Sequence, residues 1–493
     1  MTTTLPSAHW LPIAKRASLL GAVSFLSFIY FYEGGGWNQN SRFDLLRAIV
    51  EQHTLTIDAY HENTQDKAHF RGHYYSDKAP GLVFLTVPLA VATRSVMGIA
   101  GVEVNSARGE YALSYVITAA AVGLPTALAA VCLFFLAQRF GCDPNAAGFA
   151  AMAMTLGSPI WAYASLFWAH ALVGACLLFA FGAALKLKDS TSGRADFLWA
   201  LSVGLTTGWA TVTEYPAVPA SALLALFALA QVWPRGTAAR WRVLAGITVG
   251  AGGCALVLFS YLHAAFGSFR PSYSYYDPNS FSFMQRQGYL GLTYPHPDRL
   301  LKLVFGCSRG LFLASPVMLA APFGLWWLWK KQRSGAALVA AAIALYYFLF
   351  NASFYWWKAG LTFGPRYAGA AIPIACLGVA VCYQNAAARW RRVLLGLAIV
   401  SVFVTLMVVS TTSQLAMQDS CPIVHSSWPA FWSGQMALNR ESMLTPSEAG
   451  SGFGAFNLGQ LMGLHGLASL LPLLAIWGIA AALWWRIRDY SPA

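Results

Sequence analysis

The sequence predicts an all-α polytopic membrane protein, and three observations carry that prediction. Only 10% of the 493 residues are charged and 57% are hydrophobic, with a mean hydropathy of +0.52; a soluble globular chain carries about 25% charge. Apolar runs long enough to span a bilayer, about 20 residues each, recur along the whole chain. Between them Lys and Arg fall in short clusters, the pattern that sets orientation in a membrane. The net charge of +13 therefore does not point to nucleic acid, because the basic residues gather on no single face or domain.

The elements follow in order. Lys15 and Arg16 precede an apolar run from Ala17 to Tyr32 that ends in aromatics and Glu33-Gly34-Gly35-Gly36. That ending lacks a small-residue cleavage site, so it predicts an uncleaved first helix with its N-terminus in the cytoplasm. Thirteen candidate runs lie near 17–32, 80–100, 111–138, 145–163, 168–187, 197–213, 217–233, 243–266, 311–329, 336–351, 368–384, 392–411 and 464–485. The clusters Lys186/Lys188, Arg235/Arg240/Arg242, Lys330/Lys331/Arg333, Arg389/Arg391/Arg392 and Arg486/Arg488 mark the cytoplasmic side. This leaves the loops 33–79, 267–310, 352–366 and 412–463 together on the other face. Five crossings before Lys186 break the alternation, so one run between 80 and 187 does not cross. The Gly157-Ser158-Pro159 interruption singles out 145–163, which gives twelve crossings with both termini inside; thirteen is the alternative. The chain divides into an N-terminal module 1–266 carrying the first outer loop, a second outer loop 267–310, and C-terminal helices 311–493. No internal repeat is visible, so the sequence lends no support to an inverted-repeat transporter.

The first outer loop holds seven of the nineteen acids. Ser41 to Val50 opens on a Ser cap and places Phe43, Leu46 and Val50 at helical spacing, which predicts a short amphipathic helix lying in the interface. Gln52 to Tyr75 lacks that periodicity and reads as loop, and Pro80 starts the next helix. Cysteines such as Cys132, Cys176, Cys254, Cys376 and Cys382 sit in apolar runs as small core residues. Only Cys307 and Cys421 occupy polar loops where a disulfide can form, and the reading favours free thiols.

Ionisable groups at a membrane boundary are costly, which makes them the candidates for chemistry. Asp77-Lys78 stands at the mouth of a helix, where a carboxylate can take a proton and an ammonium can hold phosphate. Asp66, Asp58 and Asp44 add acids to the same loop and favour proton abstraction from a hydroxyl; a divalent cation held by these oxygens is the alternative, and no cofactor is predicted. Arg309 and Arg366, each beside glycine at a helix mouth, suit a lipid phosphate. His73, Tyr75, Glu214, Tyr215 and Trp357 are the substrate-binding candidates, and the 412–463 loop, with Trp428, Trp432 and Arg440, is a candidate for selecting the acceptor. Each has a structural counterpart: a boundary ion pair, a helix cap, a snorkelling arginine or an aromatic belt. For His170 the structural role is favoured.

The pattern resembles the GT-C superfamily of membrane glycosyltransferases, in particular the branch of aminoarabinose transferases and protein O-mannosyltransferases. The residues that carry the resemblance are the run from Arg42 to Tyr75-Ser76-Asp77-Lys78-Ala79-Pro80, with Thr213-Glu214-Tyr215-Pro216, Ser308-Arg309-Gly310-Leu311-Phe312 and Gly364-Pro365-Arg366-Tyr367. The resemblance implies inverting transfer of a sugar from a polyprenyl-phosphate donor to a glycan, lipid or protein acceptor, on the periplasmic side of a bacterial inner membrane. It implies an acid of the first loop as general base and Lys78 as the holder of the donor phosphate. In the aminoarabinose branch an acidic pair precedes the loop arginine, whereas Gln39-Asn40-Ser41 precedes Arg42 here. The base is therefore sought among Asp66, Asp77, Asp44 and Asp58, in that order. A flippase for lipid-linked sugars and a noncatalytic subunit of a glycan-assembly complex are the competing functions.

Overall fold

The computed structural model describes residues 7–279, 282–332, 334–448 and 454–487; Arg333 and Arg488 of the basic clusters lie outside these. Among the described residues ten helices are long and apolar enough to cross a membrane, and each coincides with one of the thirteen expected runs. The remaining three differ for visible reasons. The 145–163 run is broken into Pro144–Thr155 and Ile160–Ala164, where Ser158 Oγ bonds back to Met154 O and Pro159 cannot continue the ladder. The 311–329 run is broken at Pro316 into Leu311–Ala314, a 3₁₀ turn and Ala320–Gln332. The 197–213 run is one helix, Gly193–Thr213, less apolar because Arg194 and Asp196 enter its first turn. It packs tightly on Thr237–Phe266, since a Cβ at Gly204 would lie 2.4 Å from Ile247 O, the small-residue contact that membrane helices use.

Hydrogen bonds sort the helix ends into two groups. At one end Arg16 Nη2 donates to Ile487 O at 2.9 Å, Arg139 Nη2 to Leu185 O at 3.2 Å, Arg235 Nη1 to Leu187 O at 3.0 Å, and Gln384 Oε1 accepts from Asp143 N at 2.8 Å. This is the end of the basic clusters. At the other end Tyr115 OH donates to Ile29 O at 2.8 Å, Ser165 Oγ to Phe28 O at 3.1 Å, and Phe167 N to Gln39 Oε1 at 2.9 Å. The broken path from Asp143 to Phe167 thus joins the two ends. The helix that does not is α3 (Gly81–Ile99), following α1 (Ser7–Tyr30) and α2 (Trp37–Gln52). Gly81 abuts Thr213 at the outer-loop end, and Arg94, near the other terminus of α3, still meets Glu51 at 3.0 Å and Glu110 at 2.9 Å. The run singled out as non-crossing is corrected accordingly: 80–100 stays on the loop side, and 145–163 passes through.

The first loop is also corrected. α2 begins four residues before Ser41, and Asn38 to Ala48 are buried all round, so it lies inside the protein and not in the interface. The stretch read as loop contains a hairpin, β2 (Lys67–Phe70) with β3 (His73–Ser76), closed by Arg71 and Gly72 at φ 51° and 83°. Two positive φ values in a two-residue turn match the twist of the strands. A second ribbon pairs β1 (Phe31–Glu33) with β4 (Ala455–Asn457) and fixes the C-terminal outer loop against the start of the first.

Arg47, 5% exposed, meets Glu51 at 3.1 Å, Glu448 at 2.8 Å and Glu110 at 3.8 Å. In its absence Glu448 would lose its arginine, and Glu51 and Glu110 would share Arg94 alone. Arg47→Ala is expected to cost about 3 kcal/mol or more, read as a lowered unfolding midpoint in detergent, whereas Lys302→Ala, which breaks an exposed pair with Asp298 and a loose contact with the Trp357 ring, is expected to leave the midpoint at its wild-type value.

Candidate active site

A cavity of about 360 Å³ opens where the four outer loops meet. The first contributes Gly36, Trp37, Asn38, Asp66 and Lys78; the second Tyr276 and Met284; the third Phe354, Trp356 and Arg366; the fourth Gln414, Met417 and Glu441. Trp168, at the mouth of Ala169–Lys188, completes one wall.

Lys78 is one of the charges that line it. Its Nζ lies 2.8 Å from Asp66 Oδ2 and 2.8 Å from Asp77 Oδ2. The hairpin delivers all three groups, since β2 follows Asp66 and β3 runs into Asp77. Ser41 Oγ, on α2, donates to Asp77 Oδ1 at 3.2 Å and pairs with Ser76 Oγ at 2.8 Å, and Ser272 Oγ donates to Asp77 O at 2.7 Å. Burial pushes the Asp77 carboxyl above its ordinary value, with Lys78 pulling the other way. Burial opposes the Lys78 ammonium too, but Asp66 and Asp77 outweigh it and hold its pKa above the ordinary value, so the amine stays charged. Next to this triad Arg42, 1% exposed, is paired with Glu214 at 2.7 Å.

The two arginines expected at the phosphate divide. Arg366 lines the cavity, donating from Nε to His170 Nε2 at 2.8 Å and from Nη1 to Ala359 O at 3.0 Å, with its guanidinium 4.4 Å from the Trp168 ring centroid. A guanidinium only donates, so His170 accepts at Nε2 and is the neutral positioning partner of the arginine. Arg309 instead faces backbone: it donates to Lys358 O at 2.9 Å, Gly360 O at 2.8 Å and Leu415 O at 3.4 Å. It braces the cavity wall and does not line it. Cys307 and Cys421, 114 residues apart, are joined as a disulfide across the same wall, against the expectation of free thiols.

The other expected residues scatter. Asp44 is fully buried away from the cavity, taking Asn63 Nδ2 at 3.1 Å on one oxygen while Oδ2 has no hydrogen-bond partner among the described residues. Asp58 and His73 form an exposed pair at 2.7 Å that steadies the hairpin. Tyr75 is buried against Phe266, Tyr215 OH pairs with Ser272 Oγ at 3.2 Å, and the Trp357 carbonyl accepts from Asn351 at 2.7 Å while its neighbour Trp356 lines the cavity. Trp428 and Trp432 stack around Phe403, outside the cavity lining. The sequence reading missed Trp37, Trp168 and Glu441. Only the glycine run before Trp37 offered a signal: Gly35 and Gly36 have φ 82° and 114°, and a Cβ at Gly35 would lie 1.9 Å from Glu441 O. Among the described residues no three His, Cys, Asp or Glu side chains are grouped to share a metal ion.

Two consequences can be measured. Burial pushes Asp44 well above its ordinary value of 3.8, so the native state binds that proton more tightly than the unfolded chain. Its contribution is complete below 3.8 and is lost as pH rises through the raised value. Asp44→Asn, which removes the charge, is therefore expected to flatten the decline of the unfolding midpoint above the ordinary carboxylate range; an unchanged pH slope would show that Asp44 titrates normally. Reduction of the Cys307–Cys421 bond, which closes a loop of 114 residues, is expected to lower stability by about 2–4 kcal/mol, read by unfolding with and without reductant, and by its absence in Cys307→Ser.

No protein-family model matches the chain, and no curated protein sequence does. Among solved structures it is similar to ArnT from Cupriavidus metallidurans bound to undecaprenyl phosphate, with a TM-score of 0.51 and 18% identity over 98% of this chain and 77% of that one. It also matches the archaeal oligosaccharyltransferase AglB from Archaeoglobus fulgidus, in complex with an inhibitory peptide and a dolichol-phosphate, at a TM-score of 0.46 and 13% identity over 80% of this chain and 55% of that one. The chain thus has a GT-C-like helical fold, the fold of ArnT.

Proposed function

We propose that the protein is an integral membrane glycosyltransferase that moves one sugar from a polyprenyl-phosphate carrier to an acceptor, on the non-cytoplasmic face of a bacterial inner membrane. The observation that carries this reading is Lys78, charged and fixed between two carboxylates, lining one cavity with Arg366. ArnT, similar in fold, was solved bound to undecaprenyl phosphate, which supports a lipid phosphate as the carrier. The disulfide between two outer loops fits an oxidising compartment.

The chemistry follows from the groups present. An acceptor oxygen attacks the anomeric carbon of the donor sugar, its bond to that carbon forms as the bond to the phosphate oxygen breaks, and the configuration inverts. The electron pair leaves on the phosphate, where Lys78 supplies a point charge and Arg366 a planar fork. The acceptor's proton goes to a carboxylate. Asp66 takes that role because it is the one of the four candidate aspartates that lines the cavity, and Lys78 orients it at 2.8 Å.

The test is turnover of radiolabelled polyprenyl-phosphate sugars by the purified protein with a membrane extract of its host. Lys78→Ala is expected to lower kcat by about 100-fold or more and Asp66→Asn by a similar factor, while Asp58→Asn keeps wild-type turnover because its carboxylate serves the hairpin outside the cavity. Full activity in Lys78→Ala would sink the assignment. Movement of intact lipid-linked sugar across vesicles with no bond cleavage would identify a transporter instead.

A further inference from the structure

Arg309 is 1% exposed, and among the described residues every hydrogen bond it makes goes to a backbone carbonyl. Burying a charge is costly, so the carbonyls it serves matter. Nε donates to Lys358 O at 2.9 Å and Nη2 to Gly360 O at 2.8 Å, and these two residues flank Ala359. Ala359 has φ 59° and Gly360 φ 74°. The left-handed region is unfavourable for a residue with a Cβ, and such a conformation persists only where its surroundings fix it. Here they do. Ala359 N donates to Trp356 O at 2.8 Å, Asn351 Nδ2 donates to Trp357 O at 2.7 Å, and Arg309 grips the carbonyls on both sides. The carbonyl between them, Ala359 O, accepts from Arg366 Nη1 at 3.0 Å.

Arg366 is hydrogen-bonded at two points, His170 Nε2 and Ala359 O, and among the described residues its Nη2 makes no hydrogen bond. A guanidinium is a rigid planar fork, so the place of Ala359 O sets the plane in which the remaining nitrogen meets a phosphate oxygen. We propose that Arg309 is a positioning residue for donor binding: it fixes the turn 358–360, and through Ala359 O that turn fixes the Arg366 fork at the donor phosphate. The inference rests on the glycosyl-transfer reading. Arg309 itself does not line the cavity, whereas Ala359, Gly360 and Arg366 do, so its effect on the donor passes through the turn. Lysine in its place would keep the charge but not the geometry, because an ammonium is a point donor on a flexible stem and cannot hold two carbonyls in one plane. A small displacement of the turn is enough to matter, since a misplacement of about 1 Å in a positioning group is felt strongly at a bound substrate.

The experiment measures equilibrium binding of a radiolabelled polyprenyl-phosphate sugar, and its turnover with host membrane extract, on the full-length protein in detergent. The proteins compared are the wild type, Arg309→Lys, Arg366→Lys and the double variant. Arg309→Lys is expected to weaken donor binding about tenfold, equivalent to about 1.4 kcal/mol, with half-saturation by extract unchanged. In the Arg366→Lys background the same change is expected to have less than about a twofold effect, because a residue that acts through the fork has nothing further to lose once the fork is gone. Gly360→Ala disturbs the turn while both arginines stay in place: the added Cβ meets nothing within 4 Å, but φ 74° disfavours it. It is expected to weaken donor binding about threefold, and to have no effect in the Arg366→Lys background. Wild-type donor affinity in Arg309→Lys, or a tenfold loss that persists without the Arg366 fork, overturns the inference and leaves the transferase reading standing. Should Arg309→Lys not fold, Gly360→Ala with and without Arg366→Lys decides by the same rule. Failure of the wild type to turn over donor overturns the transferase reading, and this inference with it.

Discussion

The ammonium of Lys78, 2.8 Å from a carboxylate oxygen of Asp66 and 2.8 Å from one of Asp77, ties the start of α3 to the hairpin, to α2 through Ser41, and to the second outer loop through Ser272. Two carboxylates gathered without it would repel by on the order of 4 kcal/mol at the effective dielectric of a partly buried site. With it, they are held beside a cavity and leave one net negative charge there. Arg366, on the third loop, adds a positive charge to the same cavity. Glu441, which also lines the cavity, brings the sum back to one net negative charge.

A polar first loop can be folded into a membrane protein only if its groups are matched, and much of the outer half is given to that matching. Arg42 meets Asn38 and Glu214; Arg47 and Arg94 share Glu51 and Glu110; Glu33 takes Thr412 Oγ1 and Ser413 N at 2.7 Å each. These pairs reach from the first loop into helices and into the fourth loop, hundreds of residues away. They also explain α3. Its Arg94 is held among the acids of the loop side, so a helix of 19 residues, about 28 Å at 1.5 Å per residue, runs along that side and does not cross.

Much of this was legible along the chain. Apolar runs located the ten long helices, because burial in lipid demands local hydrophobicity and internal backbone bonding. The spacing of Lys and Arg grouped the four outer loops, and all four contribute to one cavity. Lys78 and Arg366 stood out since charges at a helix mouth are costly wherever they fall, and Asp66 as one of the acids gathered in the first loop. Less was readable inside the loops. Ser41 looked like a cap and is instead an interior residue bonded to Asp77, because the turn that starts α2 is set by Gly35 and Gly36 packing on Gln414 and Glu441. The hairpin escaped notice because two four-residue strands are too short for alternation to show.

The sequence by itself determined that the chain enters a bilayer, where its apolar runs lie, and which charges stand at the boundary, because each of these depends on composition within about 20 residues. Only the tertiary structure decided which of those charges meet. Arg309 and Arg366 are alike in local setting, yet one is drawn into the carbonyls of Lys358, Gly360 and Leu415 and the other faces the cavity over Trp168. Glu441 and Trp37 are 404 positions apart in the chain and line the same cavity because amide hydrogen bonds and one glycine contact bring their backbones together. Interactions of that kind depend on distance in space, which local sequence does not encode.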